Sequence, residues 1–470
     1  MKTNKITYIF ISLVLLFSSC EEWLDVQPRQ SIDSKTALSS EEAVTAALIG
    51  VYARLREVEL YGRDFLAIPD LLADNAYNTG NGNRLMGQYN NNPGSHMDNW
   101  RYGYYGINQI NLIFEALESL EATSEYKNQI RGQLHFIRAL LYHDLLRVYA
   151  YDPTAIITSE DRGGVPILEE GVLDVADIVF PARASIADGY QYVYNDLTQA
   201  YILLDGVNTD RTPHFVSQGA AAALFSRVAL YNGDWERAIA QAQIAFESGV
   251  ATFSTTDPVA GWRVQVHPES FFEIVFATPD NVGSNESLRA SYMTRVFLND
   301  TNAASHGNVV FSDDLLEQYE EEDLRHGLIQ SGYAINSNVK EINKFASKNG
   351  VANLDNVPVI RYAEVILIKA EAHYHLGQFA ASRTELNKIK TRAGLAAETT
   401  LEGPDLLEEI LRQRRIELAF EGHRFFDLKR LGRNLVKEFG TINFDDFRIL
   451  NNIPNREIDV NPNLVQNRGY

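Results

Sequence analysis

A single cysteine in 470 residues rules out an internal disulfide. Positive charge is also in deficit: 42 Lys and Arg stand against 62 Asp and Glu, a formal net charge of −20. A surface that acidic repels phosphate backbones, which argues against nucleic acid as a partner. The apolar run at residues 6–17 falls short of the roughly 20 residues that span a bilayer. Neither G-x-x-x-x-G-K-[ST] nor G-x-S-x-G occurs, and the glycines at 80, 82 and 87 miss the dinucleotide spacing. Nucleotide-driven and serine-hydrolase chemistry therefore have no anchor. His373 and His375 are the closest pair of histidines, yet positions two apart on a helix point about 200° apart and cannot grip one ion. The acidic run Glu320-Glu321-Glu322-Asp323 lacks the alternating oxygens and loop glycine of a calcium site and reads as a solvated helix face. No metal and no cofactor is expected. What the chain does have is 45% hydrophobic residues, enough for a large core, with 23 Tyr and 23 Phe that suit either packing or stacking on flat ligands.

The N-terminus reads as an export signal. Lys2 and Lys5 supply positive charge, and a short apolar stretch including Ile9, Phe10, Ile11, Leu13, Val14, Leu15 and Leu16 follows. It ends in Phe17-Ser18-Ser19, directly before Cys20, the only cysteine. The segment resembles a bacterial lipoprotein signal, in which the cysteine is acylated and becomes the mature N-terminus. Several acyl chains, each CH₂ contributing about 0.8 kcal/mol when buried, would anchor the protein without a transmembrane helix.

Helical periodicity dominates the remainder. Residues 220–231, then Asn232-Gly233-Asp234, then Trp235, Ala238, Ile239, Ala242, Ala245 and Phe246 predict two helices at a tight turn. Gly233 can close the first helix in the left-handed conformation, and Asp234 can cap the second. Residues 362–390 repeat the scheme around Gly377, with Phe379 in the place of Trp235. Small residues, a Gly turn and an aromatic opening the second helix resemble the tetratricopeptide repeat. The copies are too far apart in sequence to be consecutive, so other helices or large insertions must lie between them. Further helices are predicted at 41–56, 107–120, 130–148, 184–204 and 406–420. The stretches 74–105, 151–181 and 250–358 read as long loops with short β-like runs such as residues 271–276, and ligand contacts are placed there. Glu417 and Glu421, four apart on a predicted helix with Arg414 and Arg424 at three-residue offsets, read as an ion-pair network rather than a catalytic pair. A glycosidase needs one carboxyl kept protonated.

Several blocks together resemble the SusD/RagB family of nutrient-binding outer-membrane lipoproteins of Bacteroidetes. They are Trp100-Arg101-Tyr102-Gly103-Tyr104-Tyr105-Gly106-Ile107 leading to Asn111; Phe136-Ile137-Arg138-Ala139; Gly164-Val165-Pro166; and Arg361-Tyr362-Ala363-Glu364-Val365. The longest is the run from Arg414 through Glu421-Gly422-His423-Arg424 to Arg430, and Ile453-Pro454-Asn455-Arg456-Glu457 is similar to family C-termini. The resemblance implies a mainly α, tetratricopeptide-like superhelix, no catalysis, and delivery of oligosaccharides, or in some members peptides, to a SusC-like TonB-dependent transporter. Glu21 and Glu22 after the cysteine resemble the surface-export signal of such lipoproteins. The expected organisation is a signal peptide over 1–19 and one domain over 20–470, with a helical scaffold at about 37–248 and 359–434 and a loop-rich insertion at about 250–358. Expected ligand contacts are Asn75, Tyr77, Asn78 and Asn81, then Trp100 and Tyr102, then Trp262, Asn285 and Tyr292, because aromatic faces pack on sugar rings and amides answer hydroxyls. Trp100 has a second reading as packing against the helix that follows it. Peptide capture and a lipoprotein glycoside hydrolase are the alternatives to glycan capture.

Overall fold

The computed structural model describes residues 37–207, 212–294, 305–332, 337–346 and 351–470. The signal segment, Cys20, Glu21 and Glu22 lie outside them. No helix among the described residues is long and apolar enough to cross a membrane.

The scaffold is a succession of helices, each packed on the next. Glu41–Arg54 lies on Trp100–Ser119, which lies on Ser124–Tyr149, then Ile186–Leu203, Gln218–Asn232 and Trp235–Glu247. Side-chain caps set the starts: Ser40, Thr123, Ser185 and Ser217 each accept from a backbone N–H in the first turn. The motif at 100–107 is explained by close approach. A Cβ on Gly106 would come within 2.7 Å of the Leu141 side chain, so glycine lets helix Trp100–Ser119 seat directly on Ser124–Tyr149. This helix starts seven residues before the predicted 107, inside the stretch read as loop.

Gly233 adopts φ 73° and Asp234 accepts from the Arg237 N–H, as the sequence predicts. Gly377 likewise has φ 70°. The two repeat-like pairs are neighbours in space. Helix Trp235–Glu247 packs on Tyr362–His375, which pairs with Phe379–Arg392 and then Gly403–Glu417. Trp235 stacks on His375 with centroids 4.0 Å apart, so that histidine completes a repeat-to-repeat contact. Buried Arg227 donates to both oxygens of Glu364 at 2.7 and 2.6 Å, tying the first pair to the second.

Between these pairs the chain makes its long excursion. The predicted β-like run is strand β2, Ser270–Ile274, antiparallel to β6, Val357–Arg361, so the two ends of the excursion clasp each other. Within it, β3 (Val309–Phe311) pairs with β1 (Ala76–Asn78), while β4 (Ile329–Ser331) pairs with β5 (Lys340–Ile342). A C-terminal hairpin joins β7 (Leu435–Lys437) to β8 (Gly440–Ile442).

Two sequence expectations need correction. The acidic run at 320–323 is a turn, not a solvated helix face: Asp323 is buried and takes a bidentate bond from Arg325, while Glu320 pairs with Arg412. The helix expected over 406–420 ends at Glu417, and Phe420 has φ 62°. Its last carbonyls are satisfied by cations from the excursion, since Lys344 Nζ donates to the Glu417 and Ala419 oxygens and Arg361 to that of Glu417.

Candidate ligand-binding site

That same helix end organises the interior charge. Arg414, Glu417, Glu421 and Arg424 do form ion pairs, but not with one another, because the helix breaks before Glu421. Arg414 bonds Asp427 at 2.8 Å, and Arg424 grips both oxygens of Asp74 at 2.6 and 2.7 Å. Glu417 accepts from Arg361 at 2.8 Å and pairs with Arg392 at 2.6 Å, with Arg325 at 3.4 Å. Glu421 takes Arg361 and Lys344. Burial alone would raise the Glu417 carboxyl, but the guanidinium groups of Arg392, Arg361 and Arg325 outweigh it and hold it well below the usual range. The Glu421 carboxyl is lowered against burial by Arg361 and Lys344. Neither carboxyl holds a proton to donate.

The outward arm of this network builds a cavity wall. Arg415 donates to Asn75 Oδ1 at 2.8 Å and to Asp314 at 2.6 Å, and with Arg424 it fixes the chain that runs into β1. There a cavity of about 520 Å³ opens, within the range that holds small ligands. Four stretches of chain line it: Tyr77 and Tyr89 from the N-terminal half, Asp313 and Asp314 after β3, Asn338 to Lys340 at the start of β5, and Val436 with Glu438 from the C-terminal hairpin. Tyr77 meets Tyr89 edge-on at 5.7 Å, and Tyr89 meets Phe439 edge-on at 5.3 Å. Tyr77 is 38% and Phe439 51% exposed, so apolar ring surface faces solvent beside carboxylates. The Tyr89 hydroxyl donates to Glu438.

Lys437 fastens the hairpin to the rest of the site. Its ammonium donates to the Leu71 and Tyr89 carbonyls and to Asn91, over the faces of Tyr89 and Phe439 at 4.6 and 5.1 Å. Burial pushes its pKa down to about 7.

Of the residues singled out from sequence, Tyr77 alone lines this cavity. Asn75 is buried, donating to Asp70, and Asn78 closes its own loop by accepting from the Gly80 N–H and donating to the Arg84 carbonyl. Asn81 and Asn285 are brought together on a neighbouring rim by residue 306. Asn81 donates to its carbonyl, and Asn285 bonds the His306 ring at 3.2 Å. Trp100 packs between Tyr104 and Tyr149, both at 4.9 Å, and Tyr102 is half-buried away from the cavity. Trp262 and Tyr292, expected to be platforms, are core residues with 1% and 0% exposure. Trp262 sits edge-on to His267 and Phe345 and under Lys344, while the Tyr292 hydroxyl donates to the Phe420 carbonyl. Both aromatics fill space beneath the buried ion network. Sequence reasoning missed Tyr89, Phe439, Val436 and Asp313. Tyr89 lies in the Asn- and Tyr-rich stretch already assigned to ligand, but nothing in the sequence marks the hairpin. Among the described residues no group of three His, Cys, Asp or Glu side chains is placed to hold a metal ion.

Stacked antiparallel helix pairs, with an aromatic-walled cavity assembled on a long excursion between two of them, define a tetratricopeptide-like scaffold. Comparison with known proteins gives it a family. The SusD family profile matches residues 329–470, and a profile described as starch-binding associating with outer membrane matches 22–230. SusD-like proteins P25 and P38 of Formosa agariphila are each 26% identical, with 99–100% of both chains covered. Two solved structures superpose with TM-scores of 0.78. One is a putative sugar binding protein from Bacteroides vulgatus, 27% identical over 93% of this chain and 100% of its own. The other is a SusD superfamily protein from Bacteroides thetaiotaomicron, 25% identical over 91% and 99%. The chain belongs to the SusD/RagB family.

Proposed function

We propose that this protein is a non-catalytic, lipid-anchored glycan-binding protein of the outer-membrane surface that passes oligosaccharides to a SusC-like TonB-dependent transporter. The observation that carries the reading is the exposed ring of Tyr77 in a cavity rimmed by Asp313, Asp314 and Glu438, with exposed Phe439 edge-on to the Tyr89 that also lines it. Ring faces take the apolar side of a pyranose and carboxylates accept from its hydroxyls. The match to a starch-binding family and the likeness to a putative sugar binding protein from Bacteroides vulgatus support the same ligand class. The carboxylates Asp74, Asp313, Asp314 and Glu438 outnumber Lys340 and Lys437 on the lining, which favours neutral chains over uronic acids.

Isothermal titration with neutral oligosaccharides, matched uronate oligomers and peptides tests this. Tyr77→Ala and Phe439→Ala are each expected to weaken neutral-glycan binding by about 1–3 kcal/mol while melting stays near wild type. Unchanged affinity in both variants removes the cavity from the reading. Tight peptide binding without glycan binding would move the protein to peptide capture, and cleaved product after long incubation would make it an enzyme.

The anchor is tested separately. Cys20→Ala is expected to shift the protein from washed outer membranes to the soluble fraction, measured by immunoblot in a strain lacking the transporter. Wild-type membrane retention of that variant would sink the lipid anchor.

A further inference from the structure

After the C-terminal hairpin the chain goes on to build a second cavity, of about 460 Å³, that shares no lining residue with the first. Three stretches far apart in sequence form it: residues 151–160 after helix Ser124–Tyr149, residues 445–450 around the 3₁₀ turn Phe447–Ile449, and residues 468–469. Each is fixed in place. Asp446 caps its turn by accepting the Arg448 N–H at 3.0 Å and holds that guanidinium at 2.8 and 2.7 Å. The Glu160 N–H closes a turn onto the Ile157 carbonyl at 2.9 Å, and the Glu160 carboxylate pairs with Arg468, tying the first stretch to the third. Gly469 has φ 94°, and a Cβ there would collide with the Phe447 ring, so glycine lets the backbone lie against that side chain. Walls fixed in advance lose little freedom when a ligand arrives.

The lining combines carbon surface with hydrogen-bonding groups that are not spent on one another. Ile157 and Phe447 are half-buried and supply the carbon surface. Tyr151 is only 3% exposed, yet its hydroxyl takes no hydrogen bond among the described residues. Buried polar groups nearly always find a partner, so one left over beside a cavity points to something bound there. Burial and the Glu160, Asp161 and Asp445 carboxylates push that hydroxyl up to about 12, so it keeps its proton and is a donor. Asp445 is exposed, and its side chain makes no hydrogen bond or ion pair among the described residues, which leaves both oxygens to accept. Glu160 and Asp446 are each answered by an arginine, so a single unanswered carboxylate remains, too few oxygens for a calcium ion. A donor and an acceptor beside carbon surface suit a sugar ring: the carboxylate takes neighbouring hydroxyls, the tyrosine O–H meets a hydroxyl oxygen, and the C–H face packs on the aromatic.

We propose that this cavity is a second site for a neutral sugar residue, with Tyr151 donating, Asp445 accepting, and Phe447 and Ile157 packing on the ring's apolar face. The inference rests on the glycan-binding reading and adds a second point of attachment, so a long chain or polymer held at both sites is retained more tightly than either site alone allows.

The test titrates the purified full chain with maltotriose, cellotriose and xylotriose. In a Tyr77→Ala, Phe439→Ala background, whose first site is disabled, binding of the trisaccharide that the wild type takes should persist. Adding Tyr151→Phe with Asp445→Asn, both close to isosteric, should lower that residual affinity at least ten-fold at an unchanged melting temperature. In the wild-type background the same pair should reduce the number of bound trisaccharides from two to one. Residual binding that ignores Tyr151→Phe with Asp445→Asn overturns the proposal, as does a Tyr77→Ala, Phe439→Ala protein that binds nothing, which would leave the first cavity as the whole site. A variant pair that loses peptide binding rather than trisaccharide binding gives the cavity to a peptide and overturns it too. If the wild type binds none of the three sugars, the glycan reading fails first and this proposal with it.

Discussion

Glu417→Gln is expected to destabilise the protein by about 3–5 kcal/mol, the range for breaking a buried ion pair from one side. Three guanidinium groups, on Arg361, Arg392 and Arg325, converge on this carboxylate at 4% exposure or less. Glutamine keeps the shape but removes the charge, leaving the cations buried with less to answer them. Urea unfolding measures the loss directly, and a midpoint equal to wild type would show that the network contributes nothing. Arg361→Met should cost a similar amount, because Glu417, Glu421 and Glu269 all face that side chain. The double variant should cost less than the two singles added, since each removes the other's stranded partner. The sign of the pH dependence follows. Folding depresses the Glu417 and Glu421 carboxyls, and that of Glu371 against Arg430, below their ordinary value near 4.5. The unfolded chain then binds more protons at acid pH, so this stability is complete above about pH 4.5 and falls as pH drops through the folded values. Glu417→Gln should flatten the acid limb.

Gly422→Ala is expected to cost at least about 4 kcal/mol and to leave little soluble protein. Gly422 has φ 81°, and a Cβ there would collide with the Phe65 carbonyl oxygen, a backbone atom in helix Asp64–Leu72 that cannot swing aside. Gly377→Ala is the control: its φ is 70°, but nothing lies within 4 Å of the added carbon. That variant pays only for the left-handed backbone, roughly 1 kcal/mol. Equal melting temperatures for the two variants would show that strain, not the collision, decides.

The helical scaffold was legible because its signals are local. Apolar residues at spacings of three and four and a capping serine or aspartate act within one turn, and Gly233 and Asp234 behave as their chemistry dictates. The end of helix Gly403–Glu417 was not legible, since periodicity continues to Phe420 and the stop comes from Lys344 and Arg361, far away in sequence. The site fails for the same reason. Tyr77 stood out in an Asn-rich stretch, but Phe439, linked to it through Tyr89, is 362 residues later, on a hairpin whose placement depends on Lys437 reaching the Leu71 carbonyl. Trp262 shows the converse error. An aromatic in a variable-looking insertion reads as a platform, but charges from β6 and from Lys344 close over its ring, and only three-dimensional packing reveals that.

The clasp between β2 and β6 has a consequence for how this architecture diversifies. Because the excursion leaves and re-enters the helical array at adjacent points, its ends need no particular length or fold between them, and loop closure grows only slowly with added residues. The excursion carries Asp313, Asp314 and Lys340 to the cavity, whereas Tyr77, Tyr89 and the hairpin stay with the array. Grafting the segment between β2 and β6 from another SusD-like protein would replace one wall of the cavity, but the graft must keep cations at the places of Arg325 and Lys344, which answer Glu417 and Glu421 from inside the excursion; within that constraint the wall can change without rebuilding the helices.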